Sequence, residues 1–200
     1  MKENYQETME KEIAALGDRK PTLLLQCCCA PCSSAVLERL ARHFKLKLYY
    51  YNPNIYPEKE YKKRAEQFSK LLACPEFNSD IEMIPAPYEP ERFEAAAKGL
   101  EDEKEGGKRC EQCFKLRLFE TARKAKEIGA DYFCTTLTVS PHKNADILNA
   151  VGIEAEKEYG VKFLRSDFKK KEGYKRSTEL SNELGLYRQN YCGCKYSIWF

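Results

Sequence analysis

The chain has 200 residues, enough for one domain with its own apolar core, so its ten cysteines are not needed as disulfides to hold a small fold together. The first twenty residues are charged and lack the apolar stretch of a signal peptide, and no apolar run reaches the roughly 18 residues of a membrane span. The sequence therefore predicts a cytoplasmic protein with no membrane association, in which clustered thiols indicate metal or redox chemistry.

Strand and helix patterns alternate along the chain. Residues 1–20 are predicted as an N-terminal helical extension, followed by an apolar run of strand length at 22–27 and a helical pattern at 33–44. The later strands are predicted at 45–52, 81–87 and 131–139, and the later helices at 58–73, 92–100, 113–129 and 144–160. Such alternation predicts a single α/β domain over residues 21–200, with a mostly parallel sheet covered by helices on both faces.

Four cysteines follow the first predicted strand, in the segment QCCCAPCS at 26–33. Ligands bind at the carboxyl ends of the strands in sheets of this kind. Cys28 and Cys29 would occupy the turn, Pro31 would begin the next helix, and Cys32 would lie in its first turn, where helix-terminal amides favour thiolates. Neighbouring residues of a strand point to opposite faces, so Cys28 and Cys29 can serve one centre only if the chain has left the strand.

A second thiol pair, Cys110 and Cys113, follows a charged loop that contains two glycines. Two thiols at this spacing can bind one metal ion or a cluster, or can form a redox disulfide. Together with Cys29 and Cys32, this pair could equally form a four-cysteine zinc site. The spacing by itself does not separate these possibilities.

The remaining cysteines are a pair near the C-terminus and two isolated residues. Cys192 and Cys194 can ligate a metal, or can close a small disulfide, because Gly193 between them gives the backbone freedom. Cys74 and Cys134 lie in apolar surroundings and are predicted to be buried structural residues.

Charge is distributed unevenly along the chain. Residues 161–200 contain nine Lys or Arg against four Asp or Glu, whereas the rest of the chain is slightly acidic. This basic C-terminal segment indicates either an anionic partner or a solvated basic surface.

Six motifs, in order, resemble those of the QueH-type epoxyqueuosine reductases. They are CCAPCS, YNPNIYPEKEYKKRAEQ, RCEQCFKLRL, TTLTVSPHKN, DFKKKEGYKRS and YRQNYCGCKYS, which together extend from about Leu23 to Ser197. The resemblance implies a nucleotide-hydrolase-like (HUP, Rossmann-like) α/β fold. It also implies reduction of epoxyqueuosine to queuosine at the wobble position of tRNAs with GUN anticodons, the last step of queuosine biosynthesis.

The same resemblance implies a [4Fe-4S] cluster, one additional iron ion and an external electron donor. Matched residue by residue, the cluster ligands fall on Cys28, Cys29, Cys110 and Cys113. The redox-active pair falls on Cys192 and Cys194, and Cys32 is the thiol best placed for the additional iron. Cys27 has no counterpart in the family motif, and the Ala-Pro-Cys sequence that follows favours Cys28 and Cys29 as the vicinal pair.

Candidate acid and tRNA-binding groups complete the expected site. The SPHK segment offers His142 and Lys143 as candidate proton donors, although an ordinary surface histidine would satisfy the same pattern at His142. The polar groups expected to bind tRNA are Asn52, Asn54, Lys143, Lys169, Lys170, Lys171, Lys175 and Arg176.

Two other functions fit parts of the sequence. An ATP-dependent tRNA thiolase on a similar fold would need a glycine-rich phosphate loop after the first strand, and the turn CCAPCSS contains no glycine. A zinc-binding module that binds RNA through the basic C-terminal segment would use the same cysteines without catalysis.

Overall fold

The computed structural model describes residues 3–77 and 81–197, and within them five parallel strands form one sheet. The strands are β1 (Thr22–Gln26), β2 (Lys45–Tyr49), β3 (Glu82–Ile84), β4 (Tyr132–Thr135) and β5 (Lys162–Phe163), in the spatial order β3-β2-β1-β4-β5. The helices are α1 (Tyr5–Ala14), α2 (Ala30–Leu40), α3 (Glu58–Leu72), α4 (Pro90–Ala97), α5 (Lys108–Glu127), α6 (Ala145–Tyr159) and α7 (Gly173–Glu183). The predicted parallel α/β domain is confirmed.

The two faces of the sheet are covered by different apolar clusters, as the alternation of side chains in a strand requires. Leu23 and Leu25 of β1 face a cluster that includes Leu37 of α2 and Phe68 of α3. Leu24 faces the opposite cluster, with residues of α5 and α6. Because β1 is buried on both faces, its sequence is continuously apolar rather than alternating.

Strand order reverses at β1, and this reversal determines where a ligand can bind. The chain passes from β1 to β2 and β3 on one side and then crosses to β4 and β5 on the other. A crevice opens at the carboxyl ends of the strands at such a switch point. The Cys28 turn, which follows β1, lies at this crevice.

Three segments differ from the sequence prediction. The expected strand at 131–139 is a strand only to Thr135 and then turns into a 3-10 helix over Thr136–Val139. The short strand β5 and helix α7 were not predicted, because two residues carry no period and the α7 sequence is dominated by charge. Helix α7 packs against α2.

Candidate functional site

The turn after β1 brings three thiols together. Cys29 is the N-cap of α2, and its sulfur accepts a hydrogen bond of 3.4 Å from the amide of Cys32. The Cys28 and Cys29 sulfur atoms are 3.8 Å apart, and those of Cys28, Cys29 and Cys32 all lie within 4.8 Å of one another. The strand has ended at Gln26, so the condition for the vicinal cysteines to serve one centre is met. We call these three residues the first thiol group.

Hydrogen bonds link the three thiols of the first thiol group. Hydrogen bonds from Cys29 and Cys32 hold the pKa of Cys28 well below its usual range, and the charge of Arg117 acts in the same direction. Cys29 and Cys32 are the donors in these hydrogen bonds to Cys28. Donation raises the pKa of Cys29 to about 12 and also raises the pKa of Cys32. A thiolate that carries two thiol donors beside it is suited to bind a metal ion, which would displace the protons.

Cys27 lies outside this group. It is fully buried in the apolar cluster on the other face of the sheet, and its thiol donates to the carbonyl of Leu25 at 3.3 Å. Burial raises the pKa of Cys27, so it stays a neutral thiol. The structure therefore favours Cys28 and Cys29 as the vicinal pair. Cys134 is buried as predicted, whereas Cys74 is only partly buried.

Helix α5 and the C-terminal loop supply the other thiols. Cys113 and Cys194 are buried with Phe93 and Ala97 of α4 in a small apolar cluster, and Cys192 packs at its edge. Burial raises the pKa of Cys113 to about 12 and that of Cys194 to about 11. Cys110 lies in the first turn of α5, where its sulfur accepts a hydrogen bond of 3.2 Å from the amide of Gly106. We call Cys110, Cys113, Cys192 and Cys194 the second thiol group.

A buried arginine fixes the loop that carries Cys192 and Cys194. Arg64 of α3 donates to the carbonyls of Tyr191 and Cys192 at 3.4 and 3.2 Å, and its charge is paired with Glu60 at 2.7 Å. Gly193 has a φ of +104°, and a Cβ there would lie 2.9 Å from Arg64 Nη1. Glycine is therefore required between the two cysteines both for the backbone angle and for the close approach of Arg64.

Two adjoining cavities connect the thiol groups. The larger, of about 390 Å³, is lined by Cys28, Cys32 and Cys192, and the smaller, of about 70 Å³, by all four members of the second thiol group. Five residues line both cavities: Glu105, Arg117, His142, Lys143 and Cys192. Both cavities are therefore lined in part by thiols, and Cys192 is the cysteine that they share.

Two cations, Arg117 and Lys143, line both cavities. Arg117 of α5 is 2% exposed and donates to Asn52 Oδ1 at 2.6 Å. Burial acts to lower the pKa of Lys143, but nearby Cys192, Cys28 and Cys32 outweigh it, so the pKa is raised and Lys143 is cationic at neutral pH. The site is built to hold negative charge on its sulfur atoms.

Comparison with known proteins gives a consistent family. A sequence model described as epoxyqueuosine reductase QueH matches residues 23–199. The epoxyqueuosine reductase QueH of Streptococcus pyogenes serotype M1 is 43% identical, over 97% of this chain and 78% of that protein. The epoxyqueuosine reductase QueH of Staphylococcus epidermidis is 43% identical, over 97% of this chain and 84% of that protein. The epoxyqueuosine reductase QueH of Thermotoga maritima is 38% identical, over 88% of this chain and 90% of that protein. The chain belongs to the epoxyqueuosine reductase QueH family. This is a family of oxidoreductases, and the resemblance inferred from the six motifs is confirmed.

Several residues predicted from the QueH-type motifs meet at the two cavities. Asn52 and Asn54 are buried and line the larger cavity, as do His142 and Lys143. Asn52 donates to the carbonyl of Cys27 at 2.8 Å, while Asn54 Oδ1 is buried without a partner. His142 is exposed at the rim and Lys143 is partly buried.

The predicted basic tRNA-binding residues lie elsewhere. None of Lys169, Lys170, Lys171, Lys175 and Arg176 lines either cavity, although their neighbour Tyr174 lines the larger one. Four of the five are paired with carboxylates: Lys169 with Asp167, Lys171 with Glu10, Lys175 with Glu172 and Arg176 with Glu38. The ion pairs of Lys171 and Arg176 therefore link α7 and the loop before it to α1 and α2.

Sequence reasoning missed three arginines of the QueH-family pocket, namely Arg64, Arg117 and Arg188. Arg117 lies four residues after Cys113 in a helical pattern, and that spacing could have indicated a shared helix face. No local pattern points to Arg64, because it reaches the cysteine loop from a helix more than 120 residues away. Among the described helices of this QueH-family chain, none combines the length and apolar character needed to cross a bilayer.

Proposed function

We propose that the protein reduces epoxyqueuosine to queuosine at the wobble position of tRNA with a GUN anticodon. The observation that carries this proposal is the meeting of two thiol groups at one pocket, in a chain of the epoxyqueuosine reductase QueH family. A thiolase would need a phosphate-binding glycine loop, and the turn after β1 is occupied by cysteines instead. A cytoplasmic location follows from the proposed tRNA substrate.

The chemistry requires two electrons. Removal of the epoxide oxygen as water consumes two electrons and two protons and leaves an alkene. Oxidation of Cys192 and Cys194 from dithiol to disulfide releases two electrons and two protons, after which an external donor must reduce the disulfide again. The pair borders both cavities through Cys192, and this position supports a role as the electron store.

The thiols fit the metal centres proposed for the site. The thiols of Cys28, Cys29 and Cys32 lie within 4.8 Å of one another, and this cluster of soft ligands supports a metal centre at the turn after β1, with Cys32 as the proposed ligand of the additional iron. We propose Cys28, Cys29, Cys110 and Cys113 as the ligands of a [4Fe-4S] cluster, since Cys28 lines the larger cavity and Cys110 and Cys113 line the smaller one that adjoins it. Such a cluster supplies electrons one at a time.

The other pocket residues bind and orient the substrate in this proposal. The cavity of about 390 Å³ is of the size that holds a small ligand, which here is the flipped-out modified nucleoside. Asn54 Oδ1, buried and unpartnered, can accept a hydrogen bond from a hydroxyl or amino group of that nucleoside. His142 and Lys143 at the rim are the candidates to donate a proton to the departing oxygen.

The function is tested by direct conversion. The anaerobically purified protein is incubated with tRNA that carries epoxyqueuosine and with dithionite, and the digested nucleosides are then separated by mass. Queuosine should appear in the tRNA, with a mass loss of one oxygen. Unchanged epoxyqueuosine with a fully metal-loaded protein would refute the proposed reaction.

Neutralising Lys169, Lys170 and Lys171 together to Gln is expected to weaken tRNA binding and to flatten its dependence on salt. Each phosphate contact that is lost reduces the release of counterions, and one lost contact changes the slope of log K against log salt by about 0.9. Because Lys169 and Lys171 are already paired with carboxylates, we expect a slope change nearer one contact than three. Filter binding at several salt concentrations measures both quantities.

The matched control neutralises three lysines on the helices that cover the opposite face of the sheet: Lys124, Lys126 and Lys157. These lie near the C-terminal ends of α5 and α6, whereas the thiol pocket lies at the N-terminal ends of those helices. If both triple variants lose the same affinity, the effect reflects net charge alone and Lys169–Lys171 are not a tRNA contact.

A further inference from the structure

Arg117 carries a charge that has no counter-charge in the described protein. It is 2% exposed, and within residues 3–77 and 81–197 its side-chain partners are the neutral amide oxygen of Asn52 and the thiol of Cys113. Its Nε is buried with no partner, and none of the ion pairs formed by the described residues includes it. A buried charge without compensation is strongly unfavourable, so its presence needs an explanation.

The other two buried arginines are satisfied, which makes the contrast informative. Arg64 is paired with Glu60 and donates to two carbonyls. Arg109 donates to the carbonyls of Leu100, Glu101 and Glu103 and so holds the loop before α5. Arg117 alone among the three has neither a carboxylate nor a set of carbonyls.

The groups around Arg117 point to sulfur as the missing anion. Glu105 also lines both cavities, but the described residues show no ion pair between it and Arg117. Arg117 lines both cavities, and it lies on the same face of α5 as Cys110 and Cys113, seven and four residues before it. Cys28 of the first thiol group lines the larger cavity with Arg117, and Cys113 of the second thiol group lines the smaller. Asn52 holds its position, since that amide is itself fixed to the carbonyl of Cys27 at the end of β1.

We propose that Arg117 is the common counter-cation of the two thiol groups, which stabilises the negative charge on their sulfur atoms when they hold a metal centre. The inference rests on the proposed metal centre, and it adds a residue that sets the electrostatics of that centre. One-electron reduction adds one negative charge there, and a fixed buried cation favours the reduced form over the oxidised form. Arg117 thereby makes the centre easier to reduce.

The test is a redox titration of the anaerobically purified protein, followed by visible absorption and electron paramagnetic resonance, with iron and sulfide measured for each variant. Arg117→Met removes the charge and is expected to reduce the ratio of reduced to oxidised centre at a given potential about tenfold, equivalent to about 59 mV more negative for one electron. Arg117→Lys keeps the charge and should lie near the wild type. Arg123→Met makes the same charge change on the same helix at an exposed, ion-paired site and should have no effect.

Asn52→Ala separates charge from hydrogen bonding, because it removes the amide partner of Arg117 and leaves the guanidinium in place. A smaller shift than that of Arg117→Met supports the proposal. An equal shift, or a midpoint potential of Arg117→Met that matches Arg123→Met, overturns it. If Arg117→Met and Arg117→Lys lose the metal centre to the same extent, the role is that of a packing or hydrogen-bonding residue and the proposal is also wrong.

A second probe keeps this test independent of the proposed cluster. Cobalt(II) bound by three thiolates is a site of net charge −1, which a nearby cation stabilises. In the metal-free protein, Arg117→Met should weaken cobalt(II) binding about tenfold by absorption titration, and Arg117→Lys should restore it. If the wild-type protein holds no iron–sulfur cluster but its cobalt(II) affinity depends on Arg117 in this way, the proposed cluster is refuted and the role of Arg117 is retained. If the cobalt(II) affinity does not change in Arg117→Met, the role of Arg117 is refuted.

Discussion

Replacing Cys110 or Cys113 with Ala is expected to abolish the brown colour of the anaerobically purified protein, which should otherwise contain about four irons and four sulfides per cluster. Each replacement removes one thiolate of the proposed ligand set, and both residues lie in the first two turns of α5, at the smaller cavity. Iron and sulfide analysis, together with the absorption spectrum, measures the loss.

The control for this loss is Cys74→Ala. Cys74 follows α3, is partly buried and lines neither cavity, so the variant should keep the full cluster. A Cys110→Ala or Cys113→Ala protein with a complete cluster would show that the ligands were assigned wrongly. A colourless wild-type protein with stoichiometric zinc would instead favour the zinc-binding RNA module.

Replacing both Cys192 and Cys194 with Ser is expected to lower the multiple-turnover rate of epoxyqueuosine reduction by about 100-fold or more, while the absorption spectrum of the cluster stays unchanged. The reason lies in the two roles open to the pair. As cluster ligands their loss would degrade the spectrum, because a hydroxyl replaces a thiolate poorly as a ligand for iron. If the pair is instead an electron store, its loss leaves the metal centre intact but interrupts the supply of electrons to that centre.

The disulfide itself can be sought in the wild-type protein. Air-exposed protein, denatured in acid and digested, should yield a linked Cys192–Cys194 peptide that a thiol reductant opens. Gly193 gives the backbone the freedom that so small a ring needs, and Arg64 fixes the loop through the carbonyls of Tyr191 and Cys192. A double variant with wild-type turnover would eliminate the redox role and leave the metal centre as the only path for electrons.

The sequence by itself determined the fold class, because the information for it is local. Apolar runs of strand length alternate with helical patterns, and this alternation requires a parallel sheet with helices on both faces. It also determined that the cysteines at 28–32 follow the first strand, and therefore that they lie at the edge of the sheet where ligands bind. The motif order was specific enough to identify the family, which the comparisons confirm.

The tertiary structure alone decided which polar residues belong to the pocket. Arg64 is indistinguishable in the sequence from the surface arginines of charged helices, and Arg117 differs from them only in its four-residue spacing from Cys113. Burial beside thiols and carbonyls is what separates both from surface residues. The same holds in reverse for Arg176, which looks like a free cation in the sequence and is paired with Glu38 of α2. A charge pattern in the sequence describes the composition of one segment. Whether a charged side chain is buried or ion-paired depends on elements that are distant in the chain and come together only when the sheet and its helices have packed.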